Sequence, residues 1–222
     1  MMSTHALPAE LLAALQERGG SPDREAIEGV RRLSALFTTG RDGRLVDYLA
    51  DRSLRRAYLL YFFPVNYAKV AGLLREMPAL PARPLRILDA GSGPGTASLA
   101  VLDHLTRLGQ AGHHGLEVIA ADCSRHALQE AETLWALVTK GRPDKSRCVF
   151  HAVPADAERA DARAPWKEGP FDLIMLANSL NELYCSAADP VAARAKFLES
   201  LLKALAPDGT LMIVEPALRE TT

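Results

Sequence analysis

The stretch from Arg86 to Thr96, Arg-Ile-Leu-Asp-Ala-Gly-Ser-Gly-Pro-Gly-Thr, constrains the fold more than any other part of the chain. Three glycines at alternate positions follow a short apolar run and precede a helical pattern. Leu85, Ile87 and Leu88 suit a buried strand, and Ala97 to Leu108 reads as a helix. A strand-to-helix corner this sharp leaves room for a ligand against bare main chain, and Gly91, Gly93 and Gly95 supply that room. The spacing differs from the dinucleotide fingerprint G-x-G-x-x-G, whose third glycine packs helix on strand beneath a pyrophosphate. Here the third glycine comes one residue early, and Pro94 lacks the N–H that a phosphate would use. The loop therefore suits a nucleoside without a pyrophosphate better than it suits NAD. A glycine turn that merely makes a corner is the alternative, and the acid two residues ahead of the first glycine weighs against it.

The rest of the chain divides near Met77 to Pro84, where Pro78, Pro81 and Pro84 interrupt helix. Residues 1–83 read as a helical N-terminal extension. Pro8 to Arg18 forms one helix, closed by Gly19-Gly20. Ser21 is the expected cap of a second, with Pro22 at its first position and Arg24 to Thr38 following. Gly40 and Gly43 frame a turn. Leu45 to Phe63 then carries helical spacing that Pro64 ends or kinks, and Asn66 to Met77 forms a further helical stretch. Residues 84–222 alternate strand and helix, the pattern of an α/β domain with a parallel sheet. The expected strands are Leu85–Ala90, Leu116–Ala121, Cys148–Val153, Phe171–Ala177 and Thr210–Val214. Helices are expected at Ala97–Leu108, Arg125–Val138 and Val191–Leu205. Ala155 to Pro170 reads as a loop with a short helix, and Pro207-Asp208-Gly209 as a turn feeding the fifth strand.

The acid, the glycine spacing and the strand–helix setting together resemble the first motif of the class I S-adenosylmethionine-dependent methyltransferases. The resemblance implies a Rossmann-like parallel sheet of order 3-2-1-4-5 and S-adenosyl-L-methionine as cofactor. It brings Asp89 and the loop of Gly91, Ser92, Gly93, Gly95 and Thr96 to the methionine part of that cofactor. Asp122, at the end of the second strand, is placed to accept hydrogen bonds from both ribose hydroxyls, or else to cap the helix beginning near Ser124. Asp156 is placed to bond the adenine amino group, though its acid-rich loop offers a plain structural role as well. Cys123 packs near the adenine without reacting. Asn178, Asn181 and Glu182 follow the fourth strand, where ligands sit in open α/β sheets. Asn178 and Glu182 are the candidates beside a methyl acceptor, against the alternative of capping and loop-holding for Asn181. The sixth and seventh strands usual in the family have no counterpart after Val214. The fifth strand is thus expected to be an uncovered apolar edge, which points to a missing C-terminal segment or a covering partner.

Composition narrows the function classes. Mean hydropathy is -0.02 and the net charge is -1, so nothing general argues for a nucleic-acid partner. Residues 1–83 carry 12 basic against 9 acidic side chains, densest between Arg31 and Arg56. A polyanion could use that patch, but a solvated helical face with internal ion pairs explains it as well. No apolar run reaches the roughly 18 residues of a membrane span. The N-terminus lacks the charged and apolar regions of a signal peptide. Three cysteines, Cys123, Cys148 and Cys185, form no CxxC pair, which suggests a reducing compartment, with cytoplasm the default. The histidines lack the spacing of a metal site, and no serine stands in a nucleophile elbow. There is no Asn/Asp-Pro-Pro-aromatic motif like that of amino-group methyltransferases acting on bases, and Cys185 lacks the Pro-Cys context of the cytosine-C5 RNA enzymes.

Four pieces in order carry a closer resemblance: Tyr61-Phe62-Phe63-Pro64-Val65-Asn66-Tyr67-Ala68-Lys69, Leu88 to Thr96, Leu180-Asn181-Glu182-Leu183 and Val214-Glu215-Pro216. They are similar to the methyltransferase-like proteins associated with the small ribosomal subunit in mitochondria and bacteria. That resemblance implies ribosomal RNA or an assembling small subunit as partner, and a cysteine-bearing segment after Glu-Pro that this chain does not contain. The alternatives are a non-catalytic assembly factor that keeps the cofactor site, and a small-molecule methyltransferase with the N-terminal helices as a lid.

Overall fold

The computed structural model describes residues 7–39, 47–159 and 164–216. Five parallel strands form one sheet in the order β3-β2-β1-β4-β5: β1 Leu85–Ala90, β2 Leu116–Asp122, β3 Cys148–Pro154, β4 Phe171–Ala177 and β5 Leu205–Val214. The class I order expected from the glycine motif is therefore present. Helices α5 (Thr96–Arg107), α6 (Gln110–His114), α7 (Arg125–Thr139) and α8 (Pro190–Lys203) connect the strands. Parallel strands covered on both faces need near-continuous apolar runs, and Ile87, Leu88, Leu173, Ile174, Met175 and Leu176 are fully buried. Side chains alternate between the faces. Ile87, Val118, Leu173 and Met175 point into one core, and Leu88, Ile119, Ile174 and Leu176 point into the other with Trp166, Phe197 and Leu201.

Four helices precede the sheet: α1 (Ala9–Gly19), α2 (Arg24–Thr39), α3 (Arg52–Ala57) and α4 (Phe63–Glu76). Leu11 and Leu15 of α1 and Phe63, Tyr67, Val70 and Leu74 of α4 lie in the same core as Ile87 and Leu105. Tyr67 is anchored by its hydroxyl, which donates to Asp103 Oδ2 at 2.6 Å. The N-terminal helices are thus packed onto the sheet's helical layer rather than strung beside it.

Several expectations need correction. The cap of α2 is Asp23, whose Oδ1 accepts from Ala26 N at 2.8 Å, and not Ser21. The expected helix Leu45–Phe63 is instead a 3-10 turn at Tyr48–Ala50, then α3, then a π turn at Tyr58–Phe62 that runs directly into α4. Pro64 therefore does not end the helix. It stands in the turn after the π segment, where the wider winding relieves the clash and the lost donor of an interior proline. The short helix α6 had no clear sequence signal. β5 begins at Leu205, and a register shift between Phe171 and Leu173 makes Pro207-Asp208-Gly209 a bulge inside it. β5 pairs with β4 alone among the described residues, and Ile213 on it is 41% exposed. The turn at Gly40 and Gly43, with Arg41 and Arg44, lies outside the described residues. Among those described, no helix is long and apolar enough to cross a membrane.

Candidate functional site

β1 and β4 are neighbours at the point where strand order reverses, and ligands bind in such sheets beyond the carboxyl ends of these strands. A cavity of about 550 Å³ opens there. The glycine loop forms one wall. Gly91 N and Ser92 N donate to Ala121 O at 2.8 and 3.0 Å, which holds the loop against the end of β2. Gly91 has φ +74°, and a Cβ on it would lie 2.4 Å from Ser179 Cβ, so only glycine lets the loops after β1 and β4 meet. Ser179 Oγ completes that junction by donating to Ala90 O at 3.0 Å. Gly93 also has positive φ, and nothing lies within 4 Å of where its Cβ would be. That bare stretch of main chain borders the cavity. Gly95 is the residue before α5, and Thr96 opens that helix, 5% exposed.

Asp89 is wholly buried at the end of β1. Its Oδ2 accepts from Ser98 N at 3.0 Å and Ser98 Oγ at 2.6 Å, while Oδ1 is buried with no hydrogen-bond partner. Burial is the main reason its carboxyl is pushed up to about 6, with the Asp122 charge adding to the rise and Ser98 opposing it. Asp122 ends β2 and uses both oxygens, Oδ1 accepting from Ser124 N and Oδ2 from Gly93 N, each at 2.8 Å. Burial raises its pKa as well. The cap of α7 is Ser124, whose Oγ accepts from Ala127 N and donates to Asp47. Asp122 thus ties the glycine loop to the start of α7 and still lines the cavity.

Cys123 is exposed at the cavity rim. Asp156 also lines it, with Oδ1 accepting from Glu158 N at 3.0 Å and Oδ2 3.2 Å from Arg159 Nε. Asn178 follows β4 with φ +58°, a conformation asparagine tolerates better than most residues. Its N–H donates to Val214 O at 2.7 Å. Glu182 ends the 3-10 turn Leu180–Glu182, and Asn181 and Cys185 complete that wall. Every candidate named from the sequence except Gly95 borders this one cavity.

Other lining residues carry no site signal in the sequence. Glu215 Oε1 accepts from Leu180 N at 2.7 Å, clamping the loop after β4, while Oε2 is buried without a partner and burial raises the pKa. Its one signal in the sequence is the Val-Glu-Pro piece. The N-terminal helices supply a further part of the lining: Phe37, Tyr48, Tyr58, Phe62, Asn66 and Lys69. The rings form a connected box, with Phe37 edge-on to Tyr48 at 5.2 Å and to Phe62 at 5.1 Å, and Tyr58 stacked near Phe62 at 5.9 Å. Burial pushes the Tyr58 phenol up to about 12 and the Tyr48 phenol well above its usual value, with nearby Glu182 adding to both. Both hydroxyls remain donors at neutral pH.

The profile of a methyltransferase domain matches residues 82–222. No curated protein matches the chain. Solved structures similar to it include an S-adenosylmethionine-bound amino pentose methyltransferase, CalS10 of Micromonospora echinaspora, at 21% identity over 71% of this chain and 52% of that one, TM-score 0.43. Mitomycin 7-O-methyltransferase MmcR is 17% identical over 96% of this chain and 57% of its own, TM-score 0.49. A methyltransferase of Geobacter sulfurreducens in complex with S-adenosyl-L-homocysteine is 19% identical over 68% and 47%, TM-score 0.40. The chain spans about half the length of these structures, and likeness at this level carries no inference about substrate. The profile covers well over half of the chain, and the sheet order, glycine corner and cavity at the β1/β4 switch agree with it: this chain belongs to the methyltransferase-domain family and has the class I fold.

Proposed function

We propose that the chain is an S-adenosylmethionine-dependent methyltransferase that holds its cofactor across the Asp89–Thr96 loop and Asp122. One observation carries this reading: Asp89 Oδ1 is buried and unpartnered beside an open stretch of glycine backbone at the switch point. A buried carboxylate oxygen without a donor costs free energy, and a ligand ammonium would satisfy it. Asp122, whose carboxylate lines the cavity, is the acceptor for ribose hydroxyls. Asp156 and Cys123 stand at the adenine end, and Asn178 stands between the two ends.

When bound, the cofactor supplies a methyl group already activated by the sulfonium. The protein's part is then mostly orientation. The junction of Gly91 with Ser179 and the clamp of Glu215 on Leu180 fix the loop that carries Asn178 and Glu182. The Glu182 carboxylate is the group available to hold the proton that an acceptor releases, and the ring box keeps bulk water from that side.

Two acceptor classes compete. The four-piece sequence resemblance supports small-subunit ribosomal RNA, in an enzyme or in a non-catalytic assembly factor. The site chemistry favours a small molecule. Seven carboxylates line the cavity, which repels a polyanion. Part of the basic patch is engaged within the protein, Arg55 on Glu130 and Arg56 on Asp23, while Arg31 and Arg32 make exposed pairs with Glu28 and Asp51. Cys123, Cys148 and Cys185 form no disulfide with one another, which supports a cytoplasmic setting for either. Calorimetric titration with S-adenosylmethionine, S-adenosylhomocysteine and NAD tests the cofactor. Micromolar binding of the first two, lost in Asp122→Ala, is expected, and tighter binding of NAD would overturn the reading. Steeply salt-sensitive binding of small-subunit RNA would return the acceptor to RNA.

A further inference from the structure

The segment Val65-Asn66-Tyr67-Ala68-Lys69 lies on α4 and has no part in the methyl-transfer step itself. Spacings of four, four and three place Tyr58, Phe62, Asn66 and Lys69 on one helical face, and all four line the cavity. Lys69 is the one cationic side chain among the described residues that do so. Its Nζ donates to Asn66 Oδ1 at 3.3 Å. Asn66 is 9% exposed, and its Nδ2 reaches Tyr58 Oη at 3.5 Å. The three polar groups therefore form a chain along the cavity wall.

Charge decides what such a chain is for. S-adenosylmethionine carries two cationic groups, a sulfonium and an ammonium, and one carboxylate. The cations meet an acid-lined cavity, but the carboxylate needs a counter-ion there. A helix N-terminus beside a glycine loop is the common anion site. In this chain α5 already receives the Asp89 carboxylate, through Ser98 N and Oγ. A second carboxylate at that end would face Asp89 at close range, against Coulomb repulsion.

We propose that Lys69, with Tyr58 and Asn66, forms the subsite for the α-carboxylate of the cofactor's amino acid, Lys69 Nζ acting as counter-ion and the Tyr58 hydroxyl as a second donor. The assignment rests on the cofactor reading above. It makes the N-terminal helices part of the cofactor site, so the sheet domain holds only one side of the amino-acid moiety.

The test is calorimetric titration of the full chain with S-adenosylhomocysteine and with its decarboxylated amine analogue. Lys69→Ala is expected to weaken the first at least tenfold and to leave the second within about twofold, with Lys69→Arg restoring most of the loss. Lys69 is exposed, so thermal midpoints of both variants should match the parent. Equal weakening of both ligands, or of neither, would overturn the subsite. Failure of the parent chain to bind either ligand would instead bring down the cofactor reading, and the subsite with it.

Discussion

Asp89 carries an imbalance that pH can expose. The folded protein keeps a proton on it up to about pH 6, whereas an unfolded chain releases that proton near 3.9. Between those values the folded state binds more protons, so rising pH lowers the stability of the ligand-free protein. The contribution is fully present below about pH 4 and is lost as pH passes 6, an effect of about 2–3 kcal/mol. Asp89→Asn retains an acceptor for Ser98 and removes the charge. Urea midpoints of that variant should fall less between pH 4 and 7 than those of the parent, the remaining decline coming from Asp122 and Glu215, whose pKa values burial also raises. Affinity for the proposed cofactor runs the other way, falling as pH drops through 6 and the carboxylate is neutralised. Gly91 is the second sensitive position. Gly91→Ala forces an alanine to φ +74° and its Cβ onto Ser179. The backbone term alone is about 1–2 kcal/mol, and binding of S-adenosylhomocysteine should be lost with it, as calorimetry would read.

Between elements, one buried carboxylate joins three helices. Glu130 of α7 is 4% exposed and accepts from Arg18 of α1 at 2.7 and 3.0 Å, with Arg55 of α3 at 3.5 Å. Removing one partner of a buried pair costs roughly 3–5 kcal/mol because the other charge is stranded. The Arg18 side chain is 40% exposed and can turn to water, which puts Glu130→Ala at about 2–3 kcal/mol. The expected sign is a lower urea midpoint, and Glu130→Gln should lose less. The π turn at Tyr58–Phe62 is the other joint. It lets α3 and α4 read as one rod through Pro64 while Tyr58 and Phe62 face the cavity. Replacing Pro64 with alanine should leave the fold intact, because that turn already does without the proline's N–H.

Taken together, the extension and the sheet share a core and a cavity. Phe63, Tyr67, Val70 and Leu74 are at most 2% exposed, and they cover α5 residues Val101, Leu102 and Leu105, themselves buried. A chain of residues 84–222 alone would present that apolar layer to water, at about 25 cal/mol per Å² uncovered. We expect it to aggregate or to bind 1-anilinonaphthalene-8-sulfonate strongly, while the full chain does neither. A stable, soluble monomer of residues 84–222 would show that the division near Pro84 separates two folding units. Asp172 reinforces the union, accepting from Arg86 N at 2.8 Å and from Arg83, which also pairs with Asp208 on the β5 bulge.

How much of this was legible beforehand follows from which forces are local. The glycine corner, the five strands and the acids Asp89 and Asp122 can be read from the sequence, because positive φ, apolar runs and strand-end positions are set by neighbouring residues. The sequence also carried the helical character of residues 52–76, but not the π turn that lets Pro64 sit inside the rod. Nothing local marks Lys69, Tyr58 or Phe37 as cavity residues. Their helices are amphipathic in the ordinary way, and which polar side chains meet the glycine loop depends on how α4 seats on α5. Glu215 was visible only as part of a short motif, since its clamp on Leu180 exists only once β5 lies beside β4. Local chemistry thus determined the glycine-loop side of the cavity, and long-range packing decided which helical residues line it together with that loop.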